Sequence, residues 1–191
     1  MSDALIDPVA RQLERYQPRT ALEATELDRV RAIVAGGSAW SRTAPVHVTA
    51  SALVVHPPTG QVLLRWHERQ QAWLHVGGHG DPGEVDPIRV ALREAAEETG
   101  LADLRPWPTA DLQHLVIVAV PANEREPAHH HADLRFLLAT DQPEQARPEG
   151  PSAPIEWLSL DEAAARTSED NLRETITRAA ALLGPARRAE A

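Results

Sequence analysis

Three glutamates lie close together near the middle of the chain, at Glu94, Glu97 and Glu98 in the stretch REAAEETG. If this stretch is helical, a turn of about 100° per residue places the three carboxylates within a sector of roughly 100°. Like charges one turn apart destabilise a helix by roughly 0.2–0.5 kcal/mol per pair, and by more where water is excluded. A bound divalent cation would offset this repulsion, because Mg²⁺ prefers oxygen ligands and often binds carboxylates together with substrate phosphate. An isolated cluster of this kind is more often a solvated acidic helix face, but the glycine loop, the arginine and the terminal glycine that accompany it here favour a metal site.

The helix that carries these glutamates has clear start and stop signals. Asp86 is suited to the N-cap and Pro87 to the first helical position, and Gly100 is suited to a left-handed C-terminal residue. The sequence thus predicts a helix from about Asp86 to Thr99. Four residues are expected on the face opposite the glutamates, packed on a sheet: Ile88, Leu92, Ala95 and Thr99. Arg93 can pair with Glu97 one turn away and offset part of the repulsion.

A glycine-rich loop precedes this helix, and the two together resemble a known signature. Gly78, five further residues, Glu84 and then REAAEETGL at 93–101 are similar to the Nudix box of the Nudix hydrolase family. That signature is Gly, five residues, Glu, seven residues, and then Arg-Glu-aliphatic-x-Glu-Glu-x-Gly-aliphatic. Eight residues rather than seven separate Glu84 from Arg93 here, and Ala95 is small for the aliphatic position.

The extra residue is expected before or at the start of the helix, where it would leave the register of the glutamates intact. The extra residue also affects the positions expected for Glu84 and for the Gly78 carbonyl. The closing stretch EWLSLDEA also looks like the Nudix domain, so the resemblance covers roughly 45–166.

The resemblance implies an α/β/α sandwich with a mixed β-sheet, and hydrolysis of a diphosphate joined to another group with Mg²⁺ or Mn²⁺ as cofactor. It also implies roles for residues of the box. Glu97 and Glu98 would be the principal metal ligands, and Glu94 a ligand or the base that acts on water. Arg93 would orient the glutamates by ion pairing, and Gly78 would offer its carbonyl to the metal.

The rest of the chain indicates strands interleaved with helices, which is the pattern of an α/β fold with a mixed sheet. Strands are predicted at 46–56, 61–66, 114–120, 133–140 and around 154–160, with a short helix capped by Ser159 and Glu162. A final amphipathic helix carries Leu172, Ile176, Ala179 and Leu183 and is expected to stop at Gly184-Pro185. Three parts follow: an N-terminal helical extension (1–44), the Nudix hydrolase domain (45–166), and a C-terminal helix and tail (167–191).

The first 40 residues have a helical pattern of their own. Thr20 and Glu23 form a capping-box pair, Leu27 and Val30 follow at helical spacing, and AGGS at 35–38 ends the pattern. The helix either packs on the main domain or serves as a dimer arm. A homodimer is therefore one possible partner state.

A second unusual stretch, EPAHHHADLRF, lies between two of the predicted strands. If it is extended, one face carries four side chains suited to metal or phosphate: His129, His131, Asp133 and Arg135. His79, which follows the double glycine, can face the same substrate site. Asp133 and Glu126 are candidates for an additional acidic ligand. The alternative is a polar loop that runs into an ordinary strand.

Composition excludes several classes of function. The net charge of −9 disfavours duplex nucleic acid as a partner, since such proteins need a basic face, but it leaves nucleotides possible through a bridging cation. With no cysteine there are no disulfides, thiolate nucleophiles or zinc-thiolate sites, which suits a cytoplasmic location. The N-terminus has no long apolar run, so neither a signal peptide nor a membrane span is expected.

The sequence thus favours a Nudix diphosphohydrolase (a pyrophosphatase) acting on a small phosphoanhydride. Two alternatives stay open. One is a Nudix-like module that senses a nucleotide without cleaving it, although such modules typically lose glutamates that are present here. The other is an enzyme like isopentenyl-diphosphate isomerase, which is disfavoured because that chemistry relies on a cysteine.

Overall fold

A mixed β-sheet forms the centre of the protein. The structure is a computed structural model that describes residues 7–122 and 126–184. Its strands are β1 (Val46–His56), β2 (Gln61–His67), β3 (Ala72–Leu74), β4 (Val76–Gly78), β5 (Arg105–Pro106), β6 (His114–Val120), β7 (His129–Ala139) and β8 (Ile155–Ser159). Its α-helices are α1 (Pro8–Arg15), α2 (Ala21–Ala35), α3 (Pro87–Thr99), α4 (Leu160–Arg166) and α5 (Asp170–Leu183), and a short 3₁₀ helix spans Pro143–Gln145.

Strand β1 organises the sheet, because it pairs in parallel with β7 and antiparallel with both β2 and β4. The parallel register places His47 beside His131, Thr49 beside Asp133 and Ser51 beside Arg135. Beyond this centre, β6 and β5 pair with β7, while β3 and β8 pair with β2. Polar side chains from two distant segments are thereby brought to one face of the sheet.

Helices cover both faces of the sheet, as alternating residues of β1 show. Val48, Ala50, Ala52 and Val54 are fully buried in a core shared with α1, α2 and α3. Leu53 and Val55 point to the other face, into a core shared with α4 and α5. The predicted α/β/α sandwich with a mixed sheet and terminal helices is confirmed, and the first helices pack on the main domain. The boundaries drawn at residues 44 and 166 stay a prediction.

Most predicted elements are found within a residue or two of their expected bounds. Strand β7 is an exception, because it begins at His129 rather than at residue 133. The earlier start follows from pairing on both sides, since His129 lies opposite Val120 and His130 lies beside Val46. Helix α5 ends before Gly184 as expected; Pro185 and the first six residues lie outside the described part of the chain.

The predicted capping box at α2 is half formed. Thr20 accepts a hydrogen bond from the backbone N–H of Glu23, but the Glu23 carboxylate is turned into the protein. There it accepts hydrogen bonds from the Tyr16 hydroxyl, at 2.6 Å, and from the guanidinium of Arg178 in α5. Glu23 is 5% exposed and Arg178 is 1% exposed, so this is a buried ion pair between the two ends of the chain.

We expect Glu23→Ala to lower the free energy of unfolding by about 3–5 kcal/mol, because Arg178 would be left buried without its internal anion. Urea denaturation followed by circular dichroism measures this. Glu174→Ala is the matched control: Glu174 also pairs with Arg178, at 2.8 Å, but its side chain is 42% exposed. That variant should lose less than about 1 kcal/mol, and equal losses in the two variants would contradict the assignment.

Candidate active site

Helix α3 carries the glutamate cluster and begins and ends where the sequence predicted. The Asp86 side chain accepts a hydrogen bond from the backbone N–H of Ile88, and Gly100 adopts the left-handed conformation with φ of 68°. The extra residue of the Nudix box therefore lies in the loop before Pro87. Despite that insertion, Glu84 still reaches Arg93, with an Oε2–Nε distance of 3.0 Å.

The buried face of α3 differs from the predicted one. The fully buried residues are Pro87, Val90, Ala91, Ala95 and Thr99, whereas Ile88 and Leu92 are half-buried. The helix is thus turned so that the side chains of Glu94 and Glu98 lie inside, with 17% and 14% exposure. Glu97 stays largely outside at 57% exposure. The prediction that the three glutamates share a face opposite the packed side was wrong for Glu94 and Glu98.

Arg93 connects the acidic residues around it. Its guanidinium lies 3.0 Å from Glu84, 3.0 Å from Glu94 and 2.9 Å from Glu97, and it donates to the backbone carbonyl of His79 at 2.9 Å. A planar guanidinium with several fixed donors is well suited to hold carboxylates in set positions. The predicted pairing of Arg93 with Glu97 is therefore one contact of a larger network.

Two glycines in β4 pack closely on their neighbours, Gly78 on the helix and Gly77 on β1. The backbone N–H of Gly77 donates to Glu98 Oε2 at 3.1 Å. A Cβ at Gly77 would lie 2.4 Å from Ser51, and one at Gly78 would lie 2.7 Å from the Glu94 carboxylate. Gly77 also has φ of 144°, a conformation that favours glycine. The two buried carboxylates therefore lie against a strand that has no side chains at the points of contact.

Burial sets the electrostatics of these carboxylates. Desolvation raises the pKa of Glu98 to about 7, against the opposing effects of Arg65 and the Gly77 N–H. Desolvation also raises the pKa of Glu94, although Arg93 opposes it. For Arg93, burial acts to lower the pKa, but Glu84 and Glu94 raise it above its ordinary value. The site thus holds acidic groups whose negative charge is only partly compensated within the protein.

Arg65 of β2 is a part of the site that the sequence did not reveal. Its Nη1 lies 3.1 Å from Glu98 and its Nη2 lies 2.9 Å from Glu149, and the arginine side chain is 14% exposed. No local spacing links β2 to α3, so the pairing appears only in the folded chain. Arg65 supplies a positive charge to Glu98 in this structure.

A cleft of about 500 Å³ lies beside the two glycines, on the sheet face that carries the polar side chains of β1 and β7. Gly77 and Gly78 line it, together with four of the residues predicted for the substrate site: His79, His131, Asp133 and Arg135. His129 does not line this cleft but a neighbouring depression, and Glu126 lines both. The predicted substrate-site residues are thereby brought close to the glycine strand that contacts α3.

Asp133 and Arg135 are tied to the floor of the cleft rather than free within it. The Asp133 carboxylate accepts hydrogen bonds from Thr49 at 3.0 Å, Ser51 at 2.9 Å and Arg135 at 2.8 Å. Although burial acts to raise it, these charged and polar neighbours, His75 among them, hold the pKa of Asp133 well below its ordinary value. Asp133 therefore serves as an ionised anchor beneath the cleft.

The histidines gather at one end of the cleft. Burial and the charge of Arg42 lower the pKa of His79 to about 4, and burial with neighbouring histidines lowers the pKa of His131 to about 3. His47 and His75 belong to the same region, although the sequence gave no reason to single them out. His75 Nε2 lies 2.8 Å from Ser51 Oγ. For His47 the missing information was its pairing with His131 in the β1–β7 register, which cannot be read from either strand alone.

The segment 103–112 does not belong to the described lining of the cleft. It packs instead on α1: Gln12 donates to the Ala110 carbonyl at 2.9 Å and accepts from the Leu112 N–H at 2.9 Å.

Comparison with known proteins agrees with the fold. The NUDIX domain model matches residues 45–179, so the chain belongs to the Nudix family and is a Nudix hydrolase. It is 31% identical over 120 residues to a protein of Lactococcus lactis subsp. cremoris (strain MG1363) described as a probable DHNTP pyrophosphohydrolase. That match covers 62% of this chain and 67% of the relative.

Solved structures show the same fold. A C. elegans Ap4A hydrolase in a binary complex superposes with a TM-score of 0.60 at 18% identity, covering 71% of this chain and 96% of that one. The E. coli dihydroneopterin triphosphate pyrophosphohydrolase superposes with a TM-score of 0.54 at 21% identity, covering 71% and 94%. At these identities the likeness concerns the fold. Within the described residues, every helix is too short or too polar to cross a membrane.

The raised pKa of Glu98 predicts how stability depends on pH when metal is removed by a chelator. Because the folded-state pKa of about 7 lies above the ordinary value of 4.5, the protein favours the protonated carboxyl. The resulting stabilisation is complete below about pH 4.5 and is lost as the pH rises through 7, roughly 3 kcal/mol in total.

Glu98→Gln should remove this contribution. Between pH 4.5 and 8, the free energy of unfolding of the variant should therefore rise by that amount relative to that of the wild type. Urea titrations at several pH values measure the difference. Glu97→Gln, at an exposed position on the same helix, should keep the wild-type slope. A wild-type slope in Glu98→Gln would contradict the prediction.

Proposed function

We propose that the protein is a Mg²⁺- or Mn²⁺-dependent diphosphohydrolase that cleaves a diphosphate joined to another group, by attack of water at phosphorus. The observation that carries this proposal is the pair of buried carboxylates, Glu94 and Glu98, held against the strand whose Gly77 and Gly78 line a cleft. Burying two like charges is costly unless a cation accompanies them. A metal ion bound for hydrolysis would supply such a cation.

The donor set fits a hard divalent cation. The carboxylates of Glu94, Glu97 and Glu98 follow one another along α3, and Gly78 lies against Glu94 closely enough to exclude any side chain between them. Carboxylate and carbonyl oxygens are the ligands that Mg²⁺ and Mn²⁺ prefer. Glu94, Glu97, Glu98 and the carbonyl of Gly78 would hold the ion. When bound, it would neutralise negative charge on the phosphoryl oxygens and make bound water more acidic.

The residues around this site have separable tasks in the proposed reaction. Glu94 is shielded from solvent and its pKa is raised, so its carboxylate is suited to accept a proton from the attacking water. Arg93 holds Glu94 in place at 3.0 Å while it also holds Glu84. Arg65 keeps Glu98 oriented toward the Gly77 N–H. Fixing these groups before the substrate arrives reduces the reorganisation that the reaction requires.

The cleft indicates a small anionic substrate. Its volume of about 500 Å³ suits a nucleotide-sized molecule, and Arg42 and Arg69 at its lining can bind phosphate oxygens. His79 and His131 line the cleft where they would contact the rest of the substrate, above the buried Arg135. His129 lies in the neighbouring depression. The likeness to a probable DHNTP pyrophosphohydrolase makes dihydroneopterin triphosphate one candidate among phosphoanhydrides. A homodimer and a cytoplasmic location stay predictions from the sequence.

Turnover should depend on the two buried glutamates. Glu94→Gln should lower kcat by about 10²–10⁴-fold, because it removes the proton acceptor, and Glu98→Gln should do the same by weakening cation binding. Release of phosphate and pyrophosphate with Mg²⁺ measures this on nucleoside triphosphates, nucleotide sugars, dinucleoside polyphosphates, ADP-ribose and dihydroneopterin triphosphate.

Glu144→Gln, an exposed position outside the site, serves as the control and should keep wild-type turnover. Metal-dependent binding of one of these compounds to the wild type without any turnover would indicate that the protein is a sensor rather than a hydrolase. Equal activity of Glu98→Gln and the wild type on a cleaved compound would contradict the assigned site.

The close approach of Gly78 gives a second test. Gly78→Ala places a methyl group 2.7 Å from the Glu94 carboxylate, so the carboxylate must move while the fold keeps its core. We expect kcat to fall by at least about 10-fold with little change in the unfolding midpoint, since small displacements of catalytic groups are costly. Gly150→Ala, where an added Cβ meets nothing within 4 Å, is the control and should leave kcat unchanged. Full activity in Gly78→Ala would show that this contact is dispensable.

A further inference from the structure

Four histidines from three separate segments converge at the end of the cleft. His47 lies in β1, His79 in the loop after β4, and His129 and His131 in β7. One ring nitrogen from each of His47, His79 and His131 lies within 4.8 Å of the other two. The β1–β7 register pairs His47 directly with His131, so the cluster is fixed by the sheet rather than by mobile side chains.

Backbone carbonyls set the tautomers of two of these histidines. His47 Nδ1 lies 3.2 Å from the Ala44 carbonyl, which can only accept, so Nδ1 carries the proton and Nε2 carries a lone pair. In the same way His129 Nδ1 lies 2.9 Å from the Pro127 carbonyl. The lone pair of each Nε2 is therefore directed into the cluster. Metal-binding histidines are commonly oriented by such a hydrogen bond from the other ring nitrogen.

The distances inside the cluster are close to those of a metal site. His47 Nε2 lies 3.0 Å from His79 Nε2, and His129 Nε2 lies 3.1 Å from His131 Nε2. Two imidazole nitrogens bound to one tetrahedral zinc ion at about 2.0–2.1 Å would be about 3.3 Å apart. His47 and His79 thus lie close to that separation, and a rotation of the His131 ring, whose ligand nitrogen lies within 4.8 Å of theirs, would bring all three to one ion.

The chemistry of this cluster differs from that of the acidic helix. Three imidazole nitrogens suit Zn²⁺ and its neighbours in the first transition row, whereas oxygen ligands suit Mg²⁺. Three histidines also leave a fourth tetrahedral position open. Since His79 and His131 line the cleft, a ligand that enters the cleft could reach that position.

We propose that His47, His79 and His131 form a second metal site, which binds one zinc-class cation and is separate from the carboxylate site on α3. Its open position faces the cleft and takes water or an anionic oxygen of a bound molecule. In the absence of metal the same side chains form a hydrogen-bonded histidine cluster. The second site does not depend on the proposed hydrolysis, because its ligands and its preferred ion are different.

Co²⁺ is the probe, because its visible absorption distinguishes four-coordinate nitrogen ligation from six-coordinate oxygen ligation. The full chain, stripped by a chelator, is titrated with Co²⁺ and then with Zn²⁺ by absorption and by calorimetry. We expect one equivalent of four-coordinate Co²⁺ that is displaced by Zn²⁺. His79→Ala and His131→Ala should each weaken binding by at least about 100-fold, since even residues that only orient ligands contribute 10–100-fold.

Two controls separate this site from the other histidines and from the acidic helix. His130→Ala removes a histidine on the opposite face of β7 and should leave Co²⁺ binding unchanged. The double variant Glu94→Gln/Glu98→Gln removes carboxylates of the proposed hydrolytic site and should also keep the four-coordinate spectrum. Circular dichroism verifies that each variant is folded, and His79, in a loop, is the substitution that disturbs the sheet least.

Purely six-coordinate Co²⁺ in the wild type would overturn the proposal. So would loss of the four-coordinate spectrum in the double glutamate variant, which would assign the ion to the acidic helix. Unchanged affinity in a folded His79→Ala variant would likewise exclude the histidines as ligands. Phosphohydrolase activity can be present or absent in any of these cases, so failure of the second site is distinguishable from failure of the proposed function.

Discussion

The burial of two neighbouring carboxylates against a strand of glycines is the constraint on which the site depends. Glu94 and Glu98 can lie beside β4 because Gly77 and Gly78 offer a backbone without side chains. This closeness removes water and destabilises the charged forms, while Arg93 and Arg65 compensate part of the cost. The buried carboxylates therefore cost some stability, but they lie in fixed positions beside the strand that lines the cleft.

The parallel pairing of β1 with β7 builds the other half of the site. It brings Thr49 and Ser51 to Asp133, whose carboxylate is then used for holding the floor of the cleft together. The same register places His47 beside His131. The carboxylates of α3 and the histidines at one end of the sheet thus both lie near Gly77 and Gly78 of β4. Their ligand chemistries differ enough to prefer different cations.

Features that depend on neighbouring residues were predictable from the sequence, whereas features that join distant segments were not. The limits of α3 follow from Asp86, Pro87 and Gly100, and the glutamate spacing follows from the helix itself. Arg65 and His47 are ordinary strand residues until the fold places them beside Glu98 and His131. The rotation of α3 about its own axis, which decides which face is buried, was also not predicted. Small residues on two sides of a helix permit more than one packed face.

The ion pair of Glu23 with Arg178 joins residues 155 positions apart, and each is buried. During synthesis on a ribosome, α2 emerges long before α5 exists. Until α5 has been made, the Glu23 carboxylate therefore has the Tyr16 hydroxyl as a partner but lacks the guanidinium of Arg178. The last buried contact of the N-terminal helices thus forms late, and chains cut short before α5 would lack this ion pair and be more prone to unfolding and proteolysis.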